Sequence, residues 1–157
     1  MIVLLDTCII IDVLQDRQPF SDDAKKIFIA AANKQFEACI TAKSVADIYY
    51  ITHRATHSDE KSREILSKLF SLFSVLDTTG DDCKKALFSP ISDYEDAIMV
   101  ETAKKEGIDY IVTRNIKDYS KSSIDAILPA DLLKIFLSWN IYIFFYVKLN
   151  NETADEC

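Results

Sequence analysis

The chain has 157 residues, 49% of them hydrophobic and 27% charged, with only two glycines and three prolines. That is the composition of one globular domain with room for a real core, and it excludes flexible linkers, low-complexity tracts and collagen-like repeats. The formal net charge of −7 argues against nucleic-acid binding driven by bulk charge, but not against a nuclease, because a carboxylate cluster that takes divalent cations makes the count more negative.

Four cysteines (Cys8, Cys39, Cys83 and Cys157) form no C-x-x-C pair, so neither a zinc site nor a disulfide framework is expected. Scattered thiols point to a reducing, cytoplasmic setting. "IVLL" is too short for a secretory core, and no stretch reaches the roughly 18–20 apolar residues of a membrane span.

In chain order, "IVLL" (2–5) reads as a short buried strand, a continuous and branched apolar run. Asp6 stands at the turn, and residues 9–14 continue as a helix. "SDDAKKIFIAAANK" carries a capping signal at Ser21 and helical spacing at Ile27, Phe28 and Ala31. "FEACIT" is a second strand, leading into a helix over "AKSVADIYYITHRAT". Ser58 caps a further helix with Ile65, Leu69 and Leu72 on one face. "FSVLD" is a third strand, followed by a turn at Gly80 and a helix from Asp81 to Phe88. "SDYEDAIMVETAKKEG" is a helix capped by Ser92 or Asp93 and ended by Gly107. "DYIVT" is a strand, "RNIKDY" a loop, "DAIL" a short strand, and "PADLLKIFL" has proline in a helix's first turn. Short strands alternating with helices predict an α/β fold with a small, mainly parallel sheet.

In such sheets ligands gather beyond the carboxyl ends of the strands, so the acids near that rim matter. Asp6 follows the first strand directly. Asp47 lies about one turn into the helix after the second. Asp93 and Asp96 open the "DYEDA" helix, and Asn115 and Asp118 follow "DYIVT". Four segments can therefore send carboxylates or an amide to one edge. The chemistry that calls for this is metal-assisted phosphodiester hydrolysis: Mg²⁺ and Mn²⁺ prefer carboxylate and water oxygens, and no protein nucleophile is needed. Each acid also has a plainer reading. Asp93 and Asp96 complement a helix dipole, Asp118 suits a turn, and Asp47 suits a solvated helix face. Asp6 is hardest to dismiss because it interrupts an apolar run. Asp12 is expected on the exposed face of the first helix.

"IVLLDTCIIIDVL", "ITAKSVADIYYI", "SDYEDAIMVETA" and "DYIVTRNIKDY" stand in the order of the PIN-domain nucleases, and the chain resembles the branch that includes VapC-type toxins. The resemblance runs from Met1 to about Phe136 and rests chiefly on "DYEDA" paired with "TRNIKDY". It implies a PIN-like three-layer α/β sandwich and an Mg²⁺- or Mn²⁺-dependent ribonuclease, with an antitoxin protein as partner and a homodimer as the assembly. By position it implies Asp6, Asp47 and Asp96 as catalytic acids, with Asp6, Asp96, Asp93 and Asp118 toward metal. Asp47 falls where the family usually has glutamate, and Asn115 where many relatives have aspartate. Thr7, Thr113 and Asn115 are expected to orient the acids.

Lys43, Arg114 and Lys117 are candidates for the RNA phosphates. Tyr49, Tyr50, Tyr94 and Tyr119 can stack bases, though core or partner packing is the expectation for Tyr49 and Tyr50. His53 and His57 have zinc-like spacing without a third ligand or an intervening glutamate, so packing roles are expected. Residues 1–137 are read as the nuclease domain. Residues 138–157, apolar and then polar, are read as an extension: an edge strand, a dimer contact or an antitoxin contact. Three alternatives stand beside the nuclease: a PIN domain that binds RNA or protein without cutting, an aspartate-based phosphatase, and a receiver domain using Asp77, Thr113 and Lys117.

Overall fold

A computed structural model of the chain describes residues 1–136. The expectations for the C-terminal extension fall on residues 138–157, outside the described residues.

Among the described residues five strands, β1 (Ile2–Leu5), β2 (Glu37–Thr41), β3 (Ser74–Leu76), β4 (Tyr110–Val112) and β5 (Ala126–Ile127), form one sheet in the order β3-β2-β1-β4-β5. Every pairing is parallel, with Leu4 opposite Cys39 on one side of β1 and Ile111 on the other. The connections are helical, as parallel pairing requires: α1 (Thr7–Leu14), α2 (Ser21–Ala32), α3 (Ala42–Thr56), α4 (Asp59–Leu72), α5 (Gly80–Ala86) and α6 (Tyr94–Ala103). A seventh helix, α7, covers 129–136.

Side-chain alternation along the strands splits the interior into two cores. Val3 and Leu5, with Ala38, Ile40 and Val112, point to the layer of α1, α2, α3, α4 and α7. Leu4, Cys39 and Ile111 point to α5 and α6, where Ala97, Val100 and Ala103 meet them. Both faces of β1 are covered, so its run is apolar without alternation. Each fully buried leucine there contributes about 1.5–3 kcal/mol by burial.

Three local expectations change. Ser21 is not the cap of α2: Phe20 holds that position with no side-chain bond, and the Ser21 hydroxyl donates to Asp16 Oδ1 at 2.7 Å. Helix α6 stops at Ala103, and Gly107 (φ +63°) instead closes the turn that leads to β4. Asp12 is fully buried rather than solvated, because α1 packs all round. The strand order also removes the receiver reading. Asp77 follows β3 at one edge, and β2 and β1 separate it from Thr113 at the end of β4. Among the described residues no helix is long and apolar enough to cross a membrane.

Candidate active site

The order β3-β2-β1-β4-β5 reverses direction at β1, so the crevice between the carboxyl ends of β1 and β4 is the topological switch point, where open α/β sheets bind ligands. Asp6 stands there. Its backbone N–H bonds Val112 O, extending the β1–β4 ladder by one residue. Its carboxylate caps α1 by accepting from Cys8 N at 3.2 Å through Oδ1, while Oδ2 accepts from the Thr113 hydroxyl at 2.6 Å and the Cys8 thiol at 3.2 Å. The Thr113 oxygen in turn accepts from Asn115 N at 3.0 Å. Asn115 therefore acts here through its backbone, and its side chain is exposed.

Asp96 comes from the first turn of α6. Asp93 is the N-cap, accepting from Glu95 N and Asp96 N with Oδ1, so the capping expectation for Asp93 describes the structure. The turn after β4 brings Tyr119 to Asp96, where its hydroxyl donates to Oδ1 at 2.9 Å and also meets Met99 Sδ at 3.6 Å. Burial raises the Asp96 carboxyl to about 6, against the lowering effect of the Tyr119 bond and with further raising by Asp6, Asp93 and Asp118. Asp118 is exposed but near enough to be felt. Burial also drives the Tyr119 phenol upward, with Asp6 and Asp96 adding to it, so it stays a proton donor. Tyr119 is 3% exposed and cannot stack a base; sequence reasoning missed its bond to Asp96.

Asp6, Thr7, Lys43, Asp47, Glu95 and Asp96 line a cleft of about 280 Å³, together with Tyr50, Ile51 and Met99. Lys43 crosses it, bonding Asp47 Oδ2 at 2.5 Å and Glu95 Oε2 at 2.6 Å. Burial lowers the Lys43 amine, and these two bonds outweigh it to leave a raised value and a firm positive charge. Glu95, which faces Lys43 across the cleft, has no role in the reading of the sequence. Thr7 brings a buried hydroxyl with no hydrogen-bond partner among the described residues. Burial and the Asp6 charge push the Cys8 thiol up to about 12, so it is no thiolate nucleophile.

Other candidates sit elsewhere. Arg114 turns away from the cleft: its Nε stands 3.0 Å from Asp12 Oδ2 and its guanidinium lies 4.4 Å over the Phe20 ring. Lys117 is exposed and outside the cleft lining. Tyr50 is 61% exposed and so is not packed into the core. Tyr49 bonds Asp59 and stacks on His53, Tyr94 donates to Cys83 O, and His57 ends α3 in the left-handed region.

The family described as PIN domain matches residues 2–117, and the chain belongs to it. Solved structures share the fold. VapBC2 from Rickettsia felis bound to a promoter DNA fragment is 19% identical with a TM-score of 0.60, covering 82% of this chain and 98% of that one. A toxin–antitoxin complex from Klebsiella pneumoniae is 22% identical with a TM-score of 0.60, covering 81% and 97%. VapC20 from Mycobacterium tuberculosis, a sarcin–ricin loop cleaving toxin, is 16% identical with a TM-score of 0.56, covering 69% and 86%. No curated protein matches the sequence.

The cleft's donors are carboxylates and a hydroxyl, which suits a hard divalent cation. Among the described residues no three His, Cys, Asp or Glu side chains stand together as a finished metal site. Lys43, seated on Asp47 and Glu95, occupies part of the charge a cation would need.

Proposed function

We propose that the chain is a divalent-metal-dependent ribonuclease and the toxin of a toxin–antitoxin pair. The observation that carries this is the pair Asp6 and Asp96: two carboxylates from distant segments brought to the switch point, each held by a neutral hydroxyl rather than cancelled by a cation. The solved relatives supply the biological frame, since two are toxin–antitoxin complexes and one cleaves the sarcin–ricin loop. They support an antitoxin as protein partner and RNA as substrate.

Asp6, Asp96 and Asp47 would hold Mg²⁺ or Mn²⁺, with Asp93 and Asp118 adding negative charge at the rim. Such an ion acidifies a water and neutralises the leaving oxygen when bound. The chain's own contribution is positioning. Thr113 fixes the Asp6 carboxylate, Tyr119 fixes Asp96, and the cap at Asp93 sets the start of α6. Lys43 spends two of its three N–H donors on Asp47 and Glu95 and keeps the third for a phosphate.

Purified protein with Mn²⁺ is expected to cleave RNA, and EDTA, Asp6→Asn or Asp96→Asn to stop it. Cleavage that persists in EDTA or in either variant overturns the reading. The Lys43 bridge favours a second reading, a PIN domain that binds RNA or protein without cutting. Calorimetric titration with Mn²⁺ separates them: saturable binding that Asp6→Asn removes supports the nuclease, and no heat of binding supports the scaffold.

A further inference from the structure

We propose that the face of α3 running out from the acids is a nucleotide track, on which the Tyr50 ring stacks an unpaired base and Arg54 holds the adjacent phosphate. The proposal rests on the ribonuclease reading and names the kind of RNA the cleft accepts: a strand unpaired beside the cut.

Lys43, Asp47, Tyr50, Ile51 and Arg54 follow the spacing i, i+4, i+7, i+8, i+11, so they form one stripe along α3. Asp47 and Arg54 are separated by about 10 Å of helix at ~1.5 Å per residue. Three of the rim's four tyrosines have hydroxyl partners: Asp59 for Tyr49, Cys83 O for Tyr94 and Asp96 for Tyr119. Tyr50 has none among the described residues, is 61% exposed and still lines the cleft beside Ile51 and Met99. The arginines divide the same way. Arg17 is held by Gln15, Arg63 by Asp59 and Arg114 by Asp12. Arg54 has no hydrogen-bond or ion-pair partner among the described residues, and its guanidinium lies over one face of the Tyr50 ring, 5.7 Å from the centroid. In a chain of net charge −7, an uncompensated guanidinium beside an exposed ring at the cleft is the composition of a single-strand site: a π-face for any base and a cation for its phosphate. Duplex RNA keeps its bases stacked on each other and offers the ring nothing.

The test uses the full chain carrying Asp96→Asn, so that RNA is not cut, with Mn²⁺ present and fluorescence anisotropy as readout. The probes are a short unpaired oligoribonucleotide and the same sequence in a duplex. Tyr50→Ala is expected to weaken single-strand binding by about tenfold, with Tyr50→Phe restoring most of it and duplex binding unmoved. Arg54→Gln is expected to reduce the slope of log affinity against log salt by about 0.7, the contribution of one phosphate on a single strand. With Asp96 in place, Tyr50→Ala raises KM more than it lowers kcat. Unchanged single-strand affinity in Tyr50→Ala overturns the proposal while cleavage by the parent protein leaves the ribonuclease reading standing, and so does a loss that Tyr50→Phe fails to restore or that the duplex shares. A Tyr50→Ala protein that loses only a protein partner assigns the stripe to protein docking and overturns it too. If the parent protein neither binds nor cuts RNA, both readings fall together.

Discussion

Asp6 and Asp12 lie on the same strand–helix unit, and both are buried, yet their surroundings differ in kind. Asp6 is met by neutral donors, the Thr113 hydroxyl, the Cys8 thiol and the Cys8 backbone N–H, all of which leave its negative charge in place. Asp12 is met by the guanidinium of Arg114, itself covered by the Phe20 ring. Burial raises the Asp12 carboxyl, and the Arg114 and Arg17 charges pull it back. A buried carboxylate is costly unless something compensates. Hydroxyl donors compensate while keeping the charge available to an incoming cation; an arginine compensates by cancelling it. The first arrangement builds a site and the second ties helix α1 to the turn after β4.

The sharpest way to break that contrast is to neutralise each acid in turn. Asp12→Asn leaves Arg114 unpaired and is expected to cost roughly 3–5 kcal/mol, read by urea unfolding, with Mn²⁺ affinity per folded molecule unchanged. Asp6→Asn is expected to do the reverse, abolishing Mn²⁺ binding with a smaller change in unfolding. The double replacement Asp12→Leu with Arg114→Met recovers most of the stability if the pair is only structural.

A smaller effect comes from the hydroxyls. Thr113→Val and Tyr119→Phe keep shape but remove the donors to Asp6 and Asp96. Each is expected to weaken Mn²⁺ binding by about 10–100-fold, measured by calorimetry, and to cost the metal-free protein roughly 1–3 kcal/mol in thermal unfolding, because a carboxylate loses its donor. Loss of stability without loss of affinity would show that the hydroxyls only fill space.

The smallest effect is in pH. Burial lifts the Asp96 carboxyl to about 6, above its ordinary value in the unfolded chain. The folded state thus binds this proton more tightly, so the stability it contributes is present at acid pH and is lost as pH rises through about 6. Mn²⁺ affinity moves oppositely, rising over the same interval as the carboxylate forms. Asp96→Asn flattens the stability trend, which a series of melts across this range reads directly.

Most elements were legible because their signals are local. Helix α3 begins and ends where its sequence predicts, from Ala42 after the Thr41 cap to Thr56. Asp6 was legible as well, since a carboxylate at the end of an apolar strand has few reasons to be there. What stayed hidden depends on contacts across the sheet. Nothing near Asp12 announces an arginine arriving from the turn after β4, and the all-round burial of α1 defeats an argument from periodicity. Tyr119 looked like a surface ring until the turn at Asn115–Tyr119 swung it beneath α6. Lys43 and Glu95 meet from α3 and α6, elements paired by neither strand nor loop.

The bond from Thr113 to Asp6 joins residues 107 positions apart. A chain emerging from the ribosome therefore carries Asp6 through the synthesis of more than a hundred further residues without the hydroxyl that orients it. The tyrosine that holds Asp96 emerges later still. A fragment that stops before Thr113 therefore retains several of the acids but neither the hydroxyl that orients Asp6 nor the one that holds Asp96.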